Sequence, residues 1–124
     1  MNKTLKPYLI NAFYSWCMDT GKTPMIVAYS CYKNKTPENL AQEEYILLNI
    51  HPHAVRNLVF SKNNISLDAQ FSDSIDNVII SYDSISTIYS KEEEEGLEFP
   101  LDPLDFKPKL TLITTNTNNN TNNN

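Results

Sequence analysis

Glycine is nearly missing from this chain: its 124 residues contain two, Gly21 and Gly96. Loops that cradle phosphate need several closely spaced glycines, so nucleotide binding of that type is excluded. Cysteine is equally scarce, and Cys17 and Cys31 sit inside apolar runs, where a reduced, buried thiol is the ordinary reading. Positive charge is in deficit, with 10 Lys and Arg against 15 Asp and Glu and a net charge of −5. The basic field that nucleic-acid phosphates require is therefore absent. No run approaches the ~18 apolar residues of a membrane span, and MNKTLKPYL has no continuous apolar core of a signal peptide. A soluble, cytoplasmic protein that binds neither membrane nor nucleic acid is expected.

Catalytic constellations are also thin. His51-Pro52-His53 offers two imidazoles, but neighbouring strand positions around a proline diverge, and no Cys, Asp or Glu stands at ligand spacing. No metal or cofactor is expected. The run Glu92–Glu95 reads as a solvated, flexible boundary rather than a metal cluster. A small enzyme working through His51 and His53 stays open as a minor alternative.

What is present is one domain and a tail. Residues 1–90 carry seven Lys and Arg against eight Asp and Glu, whereas residues 91–110 carry three against seven, so the domain is nearly neutral and the tail root acidic. The boundary falls at about Pro100. Residues 1–100 can build one core, and 101–124, ending in NNTNNN, bury nothing and form a flexible tail.

Within the domain, PYLINAFYSWCMDTG predicts a helix over 7–20, with Pro7 in the first turn and Gly21 just past the end. Its apolar positions exceed one stripe. Leu9, Phe13, Trp16 and Cys17 make one face, and Tyr8, Ala12, Ile10 and Tyr14 make others. A helix so apolar needs two covers, and a second copy of itself is the simplest second cover in so short a chain. A helix wedged wholly into its own domain is the alternative.

After Thr23-Pro24 the period becomes two. Strands are predicted over 25–32, 45–50, 57–61, 65–71 and 78–82, with a loop at 34–39 and a hairpin turn at Lys62-Asn63-Asn64; 84–90 reads as a last strand or a short helix, and the alternation of Ile85, Thr87 and Tyr89 favours strand. One helix followed by antiparallel strands makes a mainly β protein, a small open barrel or sandwich, which is more often a binding scaffold than an enzyme.

The stretches PYLINAFYSWCMDTGKTPMIV, EEYILLNIHPHAVRNLVFSKNNISLDAQFSD and NVIISYDSISTIYSKEEEEGLEFP resemble the stringent starvation protein B family over nearly all of residues 7–100. Members of that family are specificity-enhancing adaptors of the ClpXP protease. The resemblance implies an Sm-like β-fold, a homodimer formed through the N-terminal helix (here Tyr8, Ala12, Tyr14 and Trp16), and no catalysis. It also implies a groove for an extended peptide, the ssrA tag added to nascent chains on stalled ribosomes, and so a link to the ribosome. Carried over by segment, the groove residues are Leu48, Asn49, Ile50, Ala54, Val55, Leu58, Phe60, Ala69, Gln70 and Phe71. Asn49 and Gln70 would match peptide amides, while Val55, Leu58 and Phe71 would form an apolar floor. Plain core is the competing reading for each apolar member. In the tail, residues 108–113 resemble the family's motif for docking on the N-terminal domain of the ClpX unfoldase, with Lys109 as charge and Leu110, Leu112 and Ile113 as apolar anchors. An Sm-like RNA-binding module is the alternative that the fold alone permits, and the charge disfavours it.

Overall fold

The computed structural model describes residues 4–101. Helix α1 spans Lys6–Thr20 with Pro7 in its first turn. It ends at Gly21, whose φ of 71° lies in the left-handed region, and the Lys22 amide donates to the Cys17 carbonyl at 2.8 Å. This is the closing geometry in which glycine carries no Cβ penalty. The inward stripe is Ile10, Phe13, Tyr14 and Cys17, one position on from the face expected from the sequence. Leu9 and Trp16 are each 37% exposed; both sets span equal arcs of the helix, so packing against the sheets, not the 3.6-residue period, chose between them. Burial pushes the Cys17 thiol above its usual range, and the Glu92 and Glu93 carboxylates push it further. Cys31 forms no disulfide, and it is half-buried.

Seven strands follow: β1 (Pro24–Tyr29), β2 (Tyr45–Asn49), β3 (Arg56–Phe60), β4 (Asn64–Phe71), β5 (Ser74–Ser81), β6 (Ile85–Ser90) and β7 (Gly96–Glu98). They form two antiparallel sheets, ordered β2-β1-β6-β7 and β3-β4-β5. Ile26, Ala28, Leu48, Ile85 and Ile88 from the first sheet meet Ile65, Leu67, Val78 and Ile80 from the second, with Ile10 of α1 completing the core. The fold is mainly β, as expected, with the helix preceding the sheets.

Several elements differ from the sequence reading, each for a local reason. A helical turn, α2 (Glu38–Ala41), follows Pro37 in the expected loop. Strand β5 starts four residues earlier than expected because Ser72, with φ of 54°, closes a two-residue hairpin that contains neither glycine nor asparagine. Tyr82–Ser84 form a 3₁₀ turn that carries the chain from one sheet to the other. Asn34 holds that turn: its Oδ1 accepts from the Ser81 amide at 2.7 Å, and its Nδ2 donates to Ser84 Oγ at 3.0 Å. In β6 the register shifts against β1 between Val27 and Ala28, so Ile85 and Ile88 both face inward and the simple alternation of Ile85, Thr87 and Tyr89 is broken.

The acidic run is not a loose boundary. The chain turns at Lys91–Glu94 and returns as β7, with Glu94 at φ 58° and the Ser90 amide donating to the Glu95 carbonyl at 2.8 Å. Glu92 accepts from the Thr23 amide at 2.9 Å and from Thr23 Oγ1 at 2.7 Å, and Glu93 pairs with Lys22 at 2.5 Å. Two of the four carboxylates thus clasp the segment that joins α1 to β1.

Candidate functional site

The chain passes from the first sheet to the second through residues 50–55, between β2 and β3. Both strands are terminal in their sheets, so among the described residues each has one edge with no strand beside it. The turn that joins them is internally tied. Asn49 Oδ1 accepts from the His51 amide at 2.9 Å, and His51 Nδ1 accepts from the His53 amide at 3.0 Å. The Ala54 and Val55 amides both donate to the His51 carbonyl, at 2.8 and 3.2 Å. The two imidazoles lie 4.7 Å apart centre to centre, and the use of His51 Nδ1 inside the turn removes it as a metal ligand there. No group of three His, Cys, Asp or Glu able to hold a metal occurs among the described residues.

Hydrogen bonding at the two ends of β2 sets the phase of its free edge. The Ile50 amide donates to the Pro24 carbonyl at 3.1 Å and the Ser30 amide to the Glu44 carbonyl at 2.9 Å. Pairing with β1 is unbroken from Met25↔Asn49 to Tyr29↔Tyr45. Antiparallel ladders alternate, so Ile46 and Leu48 spend their backbone groups on β1, and those of Tyr45, Leu47 and Asn49 point away from the sheet. The Tyr45 and Leu47 side chains are 52% and 50% exposed, and Tyr45 packs on Tyr29 with ring centres 5.3 Å apart.

Strand β3 behaves differently. Its register against β4 changes between Arg56↔Asp68 and Val59↔Ser66, which leaves one extra residue at Asn57-Leu58. Asn57 takes a φ of 56°, the left-handed conformation that asparagine tolerates. Its Nδ2 donates to Asp68 Oδ2 at 2.8 Å, and Asn77 Nδ2 on β5 donates to Asp68 Oδ1 at 3.0 Å. These two amides hold the Asp68 carboxyl below the usual carboxylate range. The extra residue flips the pleat. Leu58 and Phe60 turn toward the core and Val59 turns out, half exposed.

The ten expected groove residues separate into layers on this frame. Ile50 is fully enclosed, and Leu48, Val55 and Ala69 are buried in the core, so they pack beneath the joint rather than offer it a surface. Leu58, Phe60 and Phe71 are half-buried at the core's margin, Asn49 is half-buried in the turn, and Ala54 and Gln70 are exposed. The exposed apolar side chains along the two free edges are Tyr45, Leu47 and Val59, which the sequence reading did not single out. YILLN is apolar almost throughout, so its residue types carried no signal of which side chains face out, and only the pleat of the strand separates Leu47 from Leu48.

Of the four helix residues expected at a dimer contact, Tyr8, Ala12 and Trp16 are exposed, while Tyr14 turns inward onto Phe60 with ring centres 5.0 Å apart. Tyr8 and Ala12 also line a cleft of about 1220 Å³, which runs from α1 to the β3–β4 turn at Lys62–Asn64 and to Asp83. That cleft shares only Phe60 with the β2–β3 joint. Lys109, Leu110, Leu112 and Ile113 lie outside the described residues. No helix among the described residues is long and apolar enough to cross a membrane.

The sequence model of the family described as Stringent starvation protein B matches residues 4–122. A relative, the "Stringent starvation protein B homolog" of Haemophilus influenzae, is 28% identical over 95 residues, which cover 76% of this chain and 63% of the relative. The chain thus spans under two thirds of that relative's length. Because the family match extends over almost the whole chain, helix, both sheets and the residues beyond them, this chain belongs to the stringent starvation protein B family.

Proposed function

We propose that the protein is a cytoplasmic, non-catalytic adaptor of the ClpXP protease, which holds the ssrA tag of a stalled-ribosome product in the groove at the β2–β3 joint. The observation that carries this reading is the meeting, at one tied turn, of two sheet edges with no strand beside them among the described residues, flanked by half-exposed Tyr45, Leu47 and Val59. An unfolded tag presents main-chain amides at every residue and side chains at alternate positions. A sheet edge matches the first, and neighbouring apolar side chains select among the second.

Two further parts complete the mechanism. Tyr8, Ala12 and Trp16 on the exposed face of α1 join two copies, and residues 108–113 of each copy grip the N-terminal domain of ClpX. Two weak tail contacts per dimer then act as one stronger attachment, since the second forms at an effective concentration on the order of millimolar. The tag is concentrated at the unfoldase without any bond being made or broken. Titration of a labelled ssrA-tag peptide into the purified protein tests the reading. Saturation at one peptide per subunit is expected, and absence of binding well above micromolar concentration refutes it.

A further inference from the structure

The outer face of the first sheet is apolar. Pairing in register sets Val27 beside Leu47 and Thr87, Tyr29 beside Tyr45, and Tyr89 beside Met25. Paired residues share a face, here the one opposite Ile26, Ala28, Leu48 and Ile88, which fill the core together with Ile10 of α1. Tyr45 and Leu47 are half exposed, and Val27, Tyr29, Thr87 and Tyr89 are half-buried. Among the strand residues of these rows Glu98 alone is charged, opposite Thr87 on the last strand, β7. An antiparallel sheet packed on one side ordinarily turns polar side chains outward on the other. A contiguous apolar face therefore marks a contact surface.

The chain itself leaves the sheet beside that face. Leu97 and Phe99 pack against the core, so Glu98 between them turns outward, and the Phe99 amide donates to the carbonyl of Ser86, next to Thr87, at 2.8 Å. Leu110 follows Leu101 by nine residues. A chain of that length has an end-to-end distance of roughly 17 Å. Strand β1 lies two strand spacings from β7, or about 10 Å, so Leu110-Thr111-Leu112-Ile113 can reach Val27. Lys107 and Lys109 come just before the apolar run, on the side of Glu98 as the chain crosses. A tethered segment acts at an effective concentration on the order of millimolar. A contact too weak to join two molecules can therefore hold the molecule's own tail.

We propose that residues 110–113 cover this face in the free protein. Leu110 and Leu112, which an extended segment turns to one side, lie over Val27, Tyr29 and Thr87, and Lys109 pairs with Glu98. The contact stops short of the β2–β3 joint. It stands on the apolar face and the reach of the chain, whether or not the same segment grips ClpX. Where it does, the docking anchors are sheltered until the unfoldase competes for them.

Nuclear Overhauser contacts in the full chain, with Leu, Ile and Val methyl groups labelled, test this. Contacts from the Leu110 or Leu112 methyls to the Tyr29 ring and the Val27 methyls are the expected result. Absence of such contacts overturns the proposal, as does contact with Tyr8 and Tyr82 of the cleft beside α1 instead. In a sample mixing labelled and unlabelled molecules, contacts found only between molecules assign the face to the tail of a second copy and also overturn it. Leu112→Asp in the full chain gives a second measurement, since it changes none of the residues that build the core. The contacts should be lost and the Val27 and Thr87 resonances should shift in that variant. Unmoved resonances at both positions overturn the assignment.

Discussion

Asn57 and Asp68 face each other across the β3–β4 ladder, and the 2.8 Å bond from the Asn57 amide to the Asp68 carboxylate holds a non-glycine residue at a φ of 56°. One hydrogen bond thereby stabilises the extra residue that decides which side chains of β3 face out. A β-branched residue at this position meets its own backbone in the left-handed region, at a cost of about 1–2 kcal/mol. Asn57→Val should therefore lower stability by that order and blur the register of β3. Asn57→Gly, which keeps the conformation and loses the bond, should cost less. Chemical denaturation of the three proteins ranks them, and a Val variant as stable as the parent removes the strain argument.

Glu92 supplies a pH prediction. Its carboxyl is held at about 2 against an ordinary 4.5, chiefly by the Thr23 amide and then by the Thr23 hydroxyl. A carboxylate whose folded value is depressed stabilises the fold above the unfolded value and loses that contribution as pH falls toward the folded one. The clasp between the β6–β7 turn and the start of β1 should weaken between pH 4.5 and 2. Glu93, lowered by its bond to Lys22, acts in the same direction. Thermal unfolding of the parent and of Glu92→Gln from pH 7 to pH 3 measures this. The difference between the two should shrink as pH falls, and a constant gap excludes the mechanism.

Gly96 opens β7 directly opposite Tyr89, and a Cβ built there collides with the Ile88 carbonyl oxygen and the Tyr89 backbone. Gly96→Ala should displace β7 at a cost on the order of 1–3 kcal/mol. The ceiling is set by simply detaching this short edge strand. Loss of protection at β7 amides in hydrogen exchange, with β1 and β6 unaffected, is the expected pattern.

Deletion of residues 107–124 should leave affinity for the tag unchanged and abolish stimulated degradation by ClpXP. The pair of measurements is a peptide titration and a degradation assay on the same truncated protein. Undiminished stimulation removes Lys109, Leu110, Leu112 and Ile113 from the docking role.

Much of the frame was legible in the residue order. Pro7 and Gly21 bracket α1, the period of two marks β4, the apolar run of 45–50 marks β2, and the β3–β4 turn falls at Lys62-Asn63 as expected, although neither Asn63 nor Asn64 takes a positive φ. The candidate site was legible only in outline. Leu48, Asn49, Ile50 and Val55 mark the stretch where the chain changes sheets, yet most of them lie beneath the surface. Apolar residue type reports a wish for burial, and a half-exposed Leu47 looks the same on paper as an enclosed Leu48.

The residue order by itself determined a small, mainly β domain with an apolar helix ahead of it, because periodicity and turn chemistry act over a few neighbours. The tertiary structure alone decided the rest. It chose the inward stripe of α1, converted an acidic run into a clasp on Thr23 and Lys22, and put β2 and β3 at the ends of their sheets. Each of those outcomes depends on groups far apart in the chain meeting through hydrogen bonds and pleat phase. No local pattern encodes which edge of a sheet remains without a neighbour.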